Sequence, residues 1–324
     1  MAGIIPVMRG KNSYLGVDIL KHVAAIGVII QHMHSASRYS AATNGRIAEM
    51  TTFAQGAVLI FFLISGFFFR AKQEPSMLST LFKHIQRYGK RLLIPFVAFS
   101  AFNAFVLIAM GKLSWDGAFW SLVTGYGVGM QMYFLSFLFY IAILGAGVQI
   151  AARFIDGREA LFALPIAVIA VAVVLHFRTQ SATGDSYRLF PLYVLAFLAG
   201  RIAAIAKRKL KGRAVAVTAG ALLVFLGLAV VDFRFYFLAA GLALFEAAWY
   251  LSSILPNRRA PGSGGVYLLH TPIVNFAVSA LLMKLGIVQW PNVLLSIAVT
   301  YFLCLTLTLS ALRVEPRLRL ILLE

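Results

Sequence analysis

Ten apolar runs of about 20 residues, set apart by short polar or Gly/Pro-rich breaks, constrain this chain more than any other feature; they fall at about 15–34, 53–69, 92–110, 132–152, 162–177, 188–206, 214–231, 235–251, 266–285 and 292–312. A helix needs about 20 such residues to cross a hydrocarbon core. With 61% of residues hydrophobic and only 12% charged, against roughly 25% charged in a soluble domain, a water-soluble protein is excluded. The predicted fold is therefore all-α, a polytopic membrane protein of about ten transmembrane helices. So many crossings fill a chain of 324 residues, so one transmembrane domain over 1–324 is expected, with no fused soluble domain. The first run continues as an uninterrupted span without a small-residue cleavage site, and it reads as a retained helix.

The formal charge of +18 would suggest a nucleic-acid partner in a soluble protein. Here no nucleic acid is expected, because membrane proteins collect Lys and Arg in their cytoplasmic loops. Of the 29 basic residues, 20 fall on one set of alternating loops and seven on the other. That bias predicts both termini in the cytoplasm. Within the 70–91 loop, Met77, Leu78, Leu81, Phe82, Ile85 and Tyr88 recur at helical spacing, with Lys83, Arg87 and Arg91 every four residues. This pattern predicts an amphipathic helix lying on the cytoplasmic surface, held by anionic headgroups. The single cysteine, Cys304, allows neither an intramolecular disulfide nor a cysteine metal site, and no metal is expected.

Ionisable groups inside a bilayer cost several kcal/mol, so each is a functional candidate. The first run carries Asp18, Lys21, His22 and His32. Eleven residues separate Lys21 from His32, which puts them about 20° apart around the helix and about 16 Å apart along it. One face thus holds a cation at its inner end and a titratable imidazole at its outer end. The bland alternative is that Lys21 snorkels beside Asp18 while His32 makes a helix–helix hydrogen bond. Running each span in its predicted direction brings Lys21, Arg70, Arg91, Arg201 and His270 to one cytoplasmic depth, with Ser65 and Tyr267 close by. Arginine is the fork-shaped donor for phosphate. On the outer side lie His34, Glu49, Asp116, Gln131, Tyr133, Asp185 and Tyr187; Glu49 or Asp116 could orient an imidazole. Glu246 is expected to pair with one of the inner arginines.

Several short motifs stand in order along these helices. Lys21 precedes His32 by ten intervening residues; Phe61-Phe62-Leu63-Ile64-Ser65-Gly66-Phe67 follows; then come Arg91-Leu92-Leu93-Ile94-Pro95, Tyr133-Phe134-Leu135 and Tyr267-Leu268-Leu269-His270-Thr271-Pro272. Together they resemble the membrane acyltransferase-3 family of bacterial O-acyltransferases, whose first-helix signature has Arg where this chain has Lys21. The resemblance implies transfer of an acyl group, usually acetyl and sometimes succinyl, from cytoplasmic acyl-CoA to a hydroxyl of a cell-surface or lipid-linked glycan. The inner (cytoplasmic) membrane is the location it implies, and a homodimer is compatible with it. On that basis His32 is the expected general base with Glu49 beside it. Lys21, Ser65, Arg70, Arg91, Arg201, Tyr267 and His270 are expected to hold acetyl-CoA, which enters as acyl donor. Two readings compete. A transporter or exporter of a polysaccharide precursor would show paired broken helices and midplane charges. A purely structural scaffold would tolerate loss of His32.

Overall fold

The computed structural model describes residues 14–33, 39–70, 76–129, 131–155, 159–177, 186–210, 213–319 and 321–322. Among them there are helices and no strands. In chain order these are α1 (Leu15–Gln31), α2 (Ala41–Ala54), α3 (Gly56–Phe68), α4 (Met77–Tyr88), α5 (Ile94–Ala109), α6 (Trp115–Val123) and α7 (Tyr133–Ala151). The second half adds α8 (Glu159–His176), α9 (Phe190–Lys209), α10 (Ala214–Ala229), α11 (Arg234–Ile254), α12 (Ser263–Leu269), α13 (Asn275–Lys284) and α14 (Gln289–Val314).

Six of the described helical stretches are long and apolar enough to cross a membrane: Ala41–Phe68, Met77–Ala109, Tyr133–Ala151, Phe190–Lys209, Arg234–Ile254 and Gln289–Val314. The other expected runs are also helical but shorter or interrupted. α1 has 17 residues and α10 has 16, which at 1.5 Å per residue reach about 24–26 Å against a core of about 30 Å. α12 and α13 are split by a break at Thr271. Two boundaries differ from the sequence expectation. The second run begins earlier, at Ala41, and α4, a helix over the residues expected to be amphipathic, passes into α5 through a widened turn at Gly89–Leu93. α4 buries Thr80 and His84 and leaves Leu78, Phe82 and Ile85 exposed.

The chain forms two compact units. One gathers 1–20, 58–87 and 140–259; the other gathers 21–57, 88–139 and 260–324. In the first unit α3 and α9 cross at backbone contact. A Cβ added at Gly66 would lie 1.9 Å from the Phe197 carbonyl oxygen, and one added at Gly200 would lie 1.9 Å from that of Leu63. Only glycine fits at either position, and small residues of this kind are what let membrane helices approach closely. The turn between α10 and α11 is closed by an ion pair of Asp232 with Arg234, both buried, and Arg234 Nη2 also donates to the Val174 carbonyl at 2.9 Å. In the second unit Gly265 packs on Thr308 of α14, and Asn292 of α14 accepts hydrogen bonds from Tyr39, Ser279 and Ser296.

Candidate active site

The second unit contains two neighbouring imidazoles. His32 follows the last turn of α1, and its carbonyl accepts a hydrogen bond from Asn275 Nδ2 at 3.1 Å. His270 stands where α12 breaks: Thr271 is extended (φ −128°, ψ 159°), as the residue before Pro272 prefers to be. A broken helix frees backbone carbonyls, and buried carbonyls need donors. Gln131 supplies them, Nε2 donating to the carbonyls of Thr271 at 2.7 Å and Leu268 at 3.3 Å, while Thr271 Oγ1 donates to Gln131 Oε1. Tyr267 completes the clamp by donating from its hydroxyl to the Gln131 carbonyl at 2.9 Å.

The same turn fixes the protonation of His270. Its Nδ1 lies 2.7 Å from the Tyr267 carbonyl and 3.2 Å from that of Val266. A carbonyl only accepts, so Nδ1 must carry the proton. The neutral ring then has its lone pair on Nε2. That atom is buried and has no hydrogen-bond partner among the described residues. The ring is 0% exposed, and its centroid lies 5.3 Å from that of His32, which is 9% exposed. Two buried imidazoles tilted by 34° to one another, one with a fixed lone pair, form a centre suited to moving a proton.

The first unit holds a basic cluster. Arg201, 7% exposed, grips Glu159 with Nε and Nη2, both at 2.9 Å, and donates from Nη1 to the Phe69 carbonyl at 2.7 Å. Arg208 lies within electrostatic reach of Arg201, Glu159 and Arg70. Beside them is an apolar cavity of about 200 Å3 lined by residues that include Phe69, Val148, Ala163, Phe197, Ile205 and Val217. Lys207 pairs with Glu246 at 2.6 Å and lies over the Trp249 ring.

A family model described as an acyltransferase domain matches residues 14–309. The chain belongs to the acyltransferase-3 family. No curated protein and no solved structure matches it. Acyl transfer is thus its chemistry, and the match runs through both units.

Set against this candidate site, the expected residues divide. His32 is buried in the imidazole pair. His270 is displaced from its expected level beside Lys21: it lies next to His32. The reason is a matched register. His22 Nε2 donates to the Ala260 carbonyl at 3.1 Å, and ten residues further along each chain the pair is His32 with His270. Tyr267 is 2% exposed with its hydroxyl committed to Gln131, which makes it part of the clamp. Glu49 is exposed on α2 and makes no hydrogen bond or ion pair with His32 among the described residues; Asp116 is likewise exposed, on the first turn of α6. Neither carboxylate pairs with the imidazole among the described residues.

Of the expected donor-binding residues, Ser65 is half-buried on α3, Lys21 half-buried on α1, and Arg70 and Arg91 exposed. Arg201 has its fork taken up by Glu159, so it is a packed ion pair and not an open phosphate donor. Glu246 does pair with a basic residue, but with a lysine. His34 and Asp185 lie outside the described residues, and Tyr187 has no described side chain. The sequence missed Asn275, Glu159 and Arg208, and it named Gln131 without its role. Pro272 was the available signal for Gln131, since a proline inside an apolar run predicts freed carbonyls that something must satisfy.

Proposed function

We propose that this acyltransferase moves an acyl group, acetyl in the first place, from cytoplasmic acyl-CoA to a hydroxyl of a cell-surface or lipid-linked glycan. The acceptor oxygen attacks the thioester carbonyl while His32 takes its proton. The carbon–sulfur bond then breaks, and the leaving CoA thiolate recovers that proton from the imidazolium. Thioester and hydroxyl become ester and thiol, and His32 is regenerated. A positioned base of this kind contributes about 10²- to 10⁴-fold.

The observation that carries this reading is the buried His32–His270 pair inside a chain of the acyltransferase-3 family. Lys21, about 16 Å back along α1 on nearly the same face, would meet an anionic part of the donor, and the pantetheine arm would follow that face to His32. Arg70 and Arg208, neither of which forms an ion pair with a carboxylate among the described residues, are the phosphate ligands in this proposal. The positive-inside bias supports an inner-membrane protein of ten spans with both termini cytoplasmic. His32→Ala tests the reading: acyl groups on the surface glycan should disappear while the protein still folds and inserts. Unchanged acyl content would remove His32 from the reaction.

A further inference from the structure

We infer that His270 is the group that orients His32, an imidazole standing where many acyl-transfer sites use a carboxylate. This rests on the assignment of His32 as base. A general base works only if its own N–H is held, so that the other ring nitrogen presents its lone pair to the acceptor hydroxyl. The orienting group must therefore be a hydrogen-bond acceptor beside His32, and buried.

Glu49 and Asp116 do not meet that requirement, since both are exposed. His270 meets it. The carbonyls of Tyr267 and Val266 pin its proton on Nδ1, which makes Nε2 an acceptor. Nε2 is fully enclosed, lacks a donor among the described residues, and belongs to a ring 5.3 Å from that of His32. A buried acceptor left unsatisfied is costly, and donation from the neighbouring His32 ring would satisfy it. Catalytic hydrogen bonds are commonly long without substrate and tighten once it binds. The chain of contacts then runs from backbone carbonyl to His270 to His32 to hydroxyl. Gln131 belongs to this device because its two hydrogen bonds to the broken turn, with those it receives from Thr271 and Tyr267, fix where His270 sits.

The test measures kcat and KM with acetyl-CoA in inside-out membrane vesicles from producing cells, which carry the native acceptor, following CoA thiol release and acetyl groups on glycan. His270→Leu should lower kcat about 100-fold and leave KM for acetyl-CoA within about twofold. His270→Gln, whose carboxamide can both donate to the Tyr267 carbonyl and offer an oxygen to His32, should regain part of that kcat at the same KM. It also serves as the decisive variant if His270→Leu fails to fold on size exclusion. A raised KM at constant kcat in either variant would make His270 a donor-binding residue and overturn the inference. So would turnover lost in His32→Ala yet kept in His270→Leu, which leaves the proposed reaction standing. Full turnover in His32→Ala would overturn both.

Discussion

Adding one methyl group at Gly200 tests the packing on which the basic cluster depends. The new Cβ of Gly200→Ala would lie 1.9 Å from the Leu63 carbonyl oxygen and 2.9 Å from both the Leu63 carbonyl carbon and the Phe67 nitrogen, where ordinary contact begins at 3.4 Å. All three obstacles are backbone, so no side chain can swing aside. α3 and α9 must separate by about 1.5 Å, taken from the gap between those distances. A gap of 0.5–1 Å already forfeits a quarter to a half of each contact's well, and overpacking of this kind costs about 1–3 kcal/mol. For a chain of this length about 2 °C of melting temperature follows each kcal/mol, so a fall of about 5 °C is expected in detergent. The shift also stretches the 2.7 Å bond from Arg201 to the Phe69 carbonyl, because Arg201 is the next residue on α9. Gly147→Ala on α7 and Gly220→Ala on α10 are the controls, since a Cβ at either meets nothing within 4 Å; better helix propensity should leave their melting temperatures unchanged or raised. If Gly200→Ala melts with these controls, the crossing is not at backbone contact and the reasoning fails.

Two further outcomes separate structural cations from functional ones. Glu159→Gln strands the Arg201 charge at a site 7% exposed, a class of change that costs about 3–5 kcal/mol when one partner of a buried pair is removed; the double change Glu159→Gln with Arg201→Met should regain most of the loss in a thermal-shift assay, and a double variant no better than the single would show that the pair is not coupled. Lys21→Arg should keep most acetyl-CoA turnover in nanodiscs while Lys21→Glu abolishes it, because charge and reach are what a phosphate needs; equal effects of the two changes would exclude contact with an anion.

Much of the helical layout was legible in the sequence because lipid requires each segment to satisfy its own backbone. An apolar run must then become a helix, and α5, α7, α9, α11 and α14 lie close to the expected runs. The register between runs was not legible. His270 was assigned the depth of Lys21 by counting residues from an estimated helix start, and α12 in fact keeps pace with α1 so that His270 meets His32. Partner choice was equally hidden. Arg201 looked like a phosphate ligand because basic residues near helix ends are common to both roles, and only the fold brings Glu159 of α8 onto its fork. Gly66 stood in the sequence only as a letter of the Phe61–Phe67 motif, and the reason for it and for Gly200, two carbonyls at contact distance, exists only once α3 and α9 cross.

The break at Thr271 bears on the transporter reading, which expects interrupted helices whose freed carbonyls and exposed amides bind an ion or substrate at the midplane. In this chain the freed carbonyls of Leu268 and Thr271 already have a donor, the carboxamide of Gln131, and Thr271 itself donates to the same side chain. No cluster of three or more His, Cys, Asp or Glu suited to a cation stands among the described residues. The two freed carbonyls are satisfied by the protein itself, and the break still changes direction, redirecting the His270 ring. Breaking a helix in an apolar surround is tolerable only with such compensation, so the cost of Pro272 and the placement of Gln131 are explained together by the need to hold one imidazole against another. On the proposed reading, the broken helix serves chemistry at that pair.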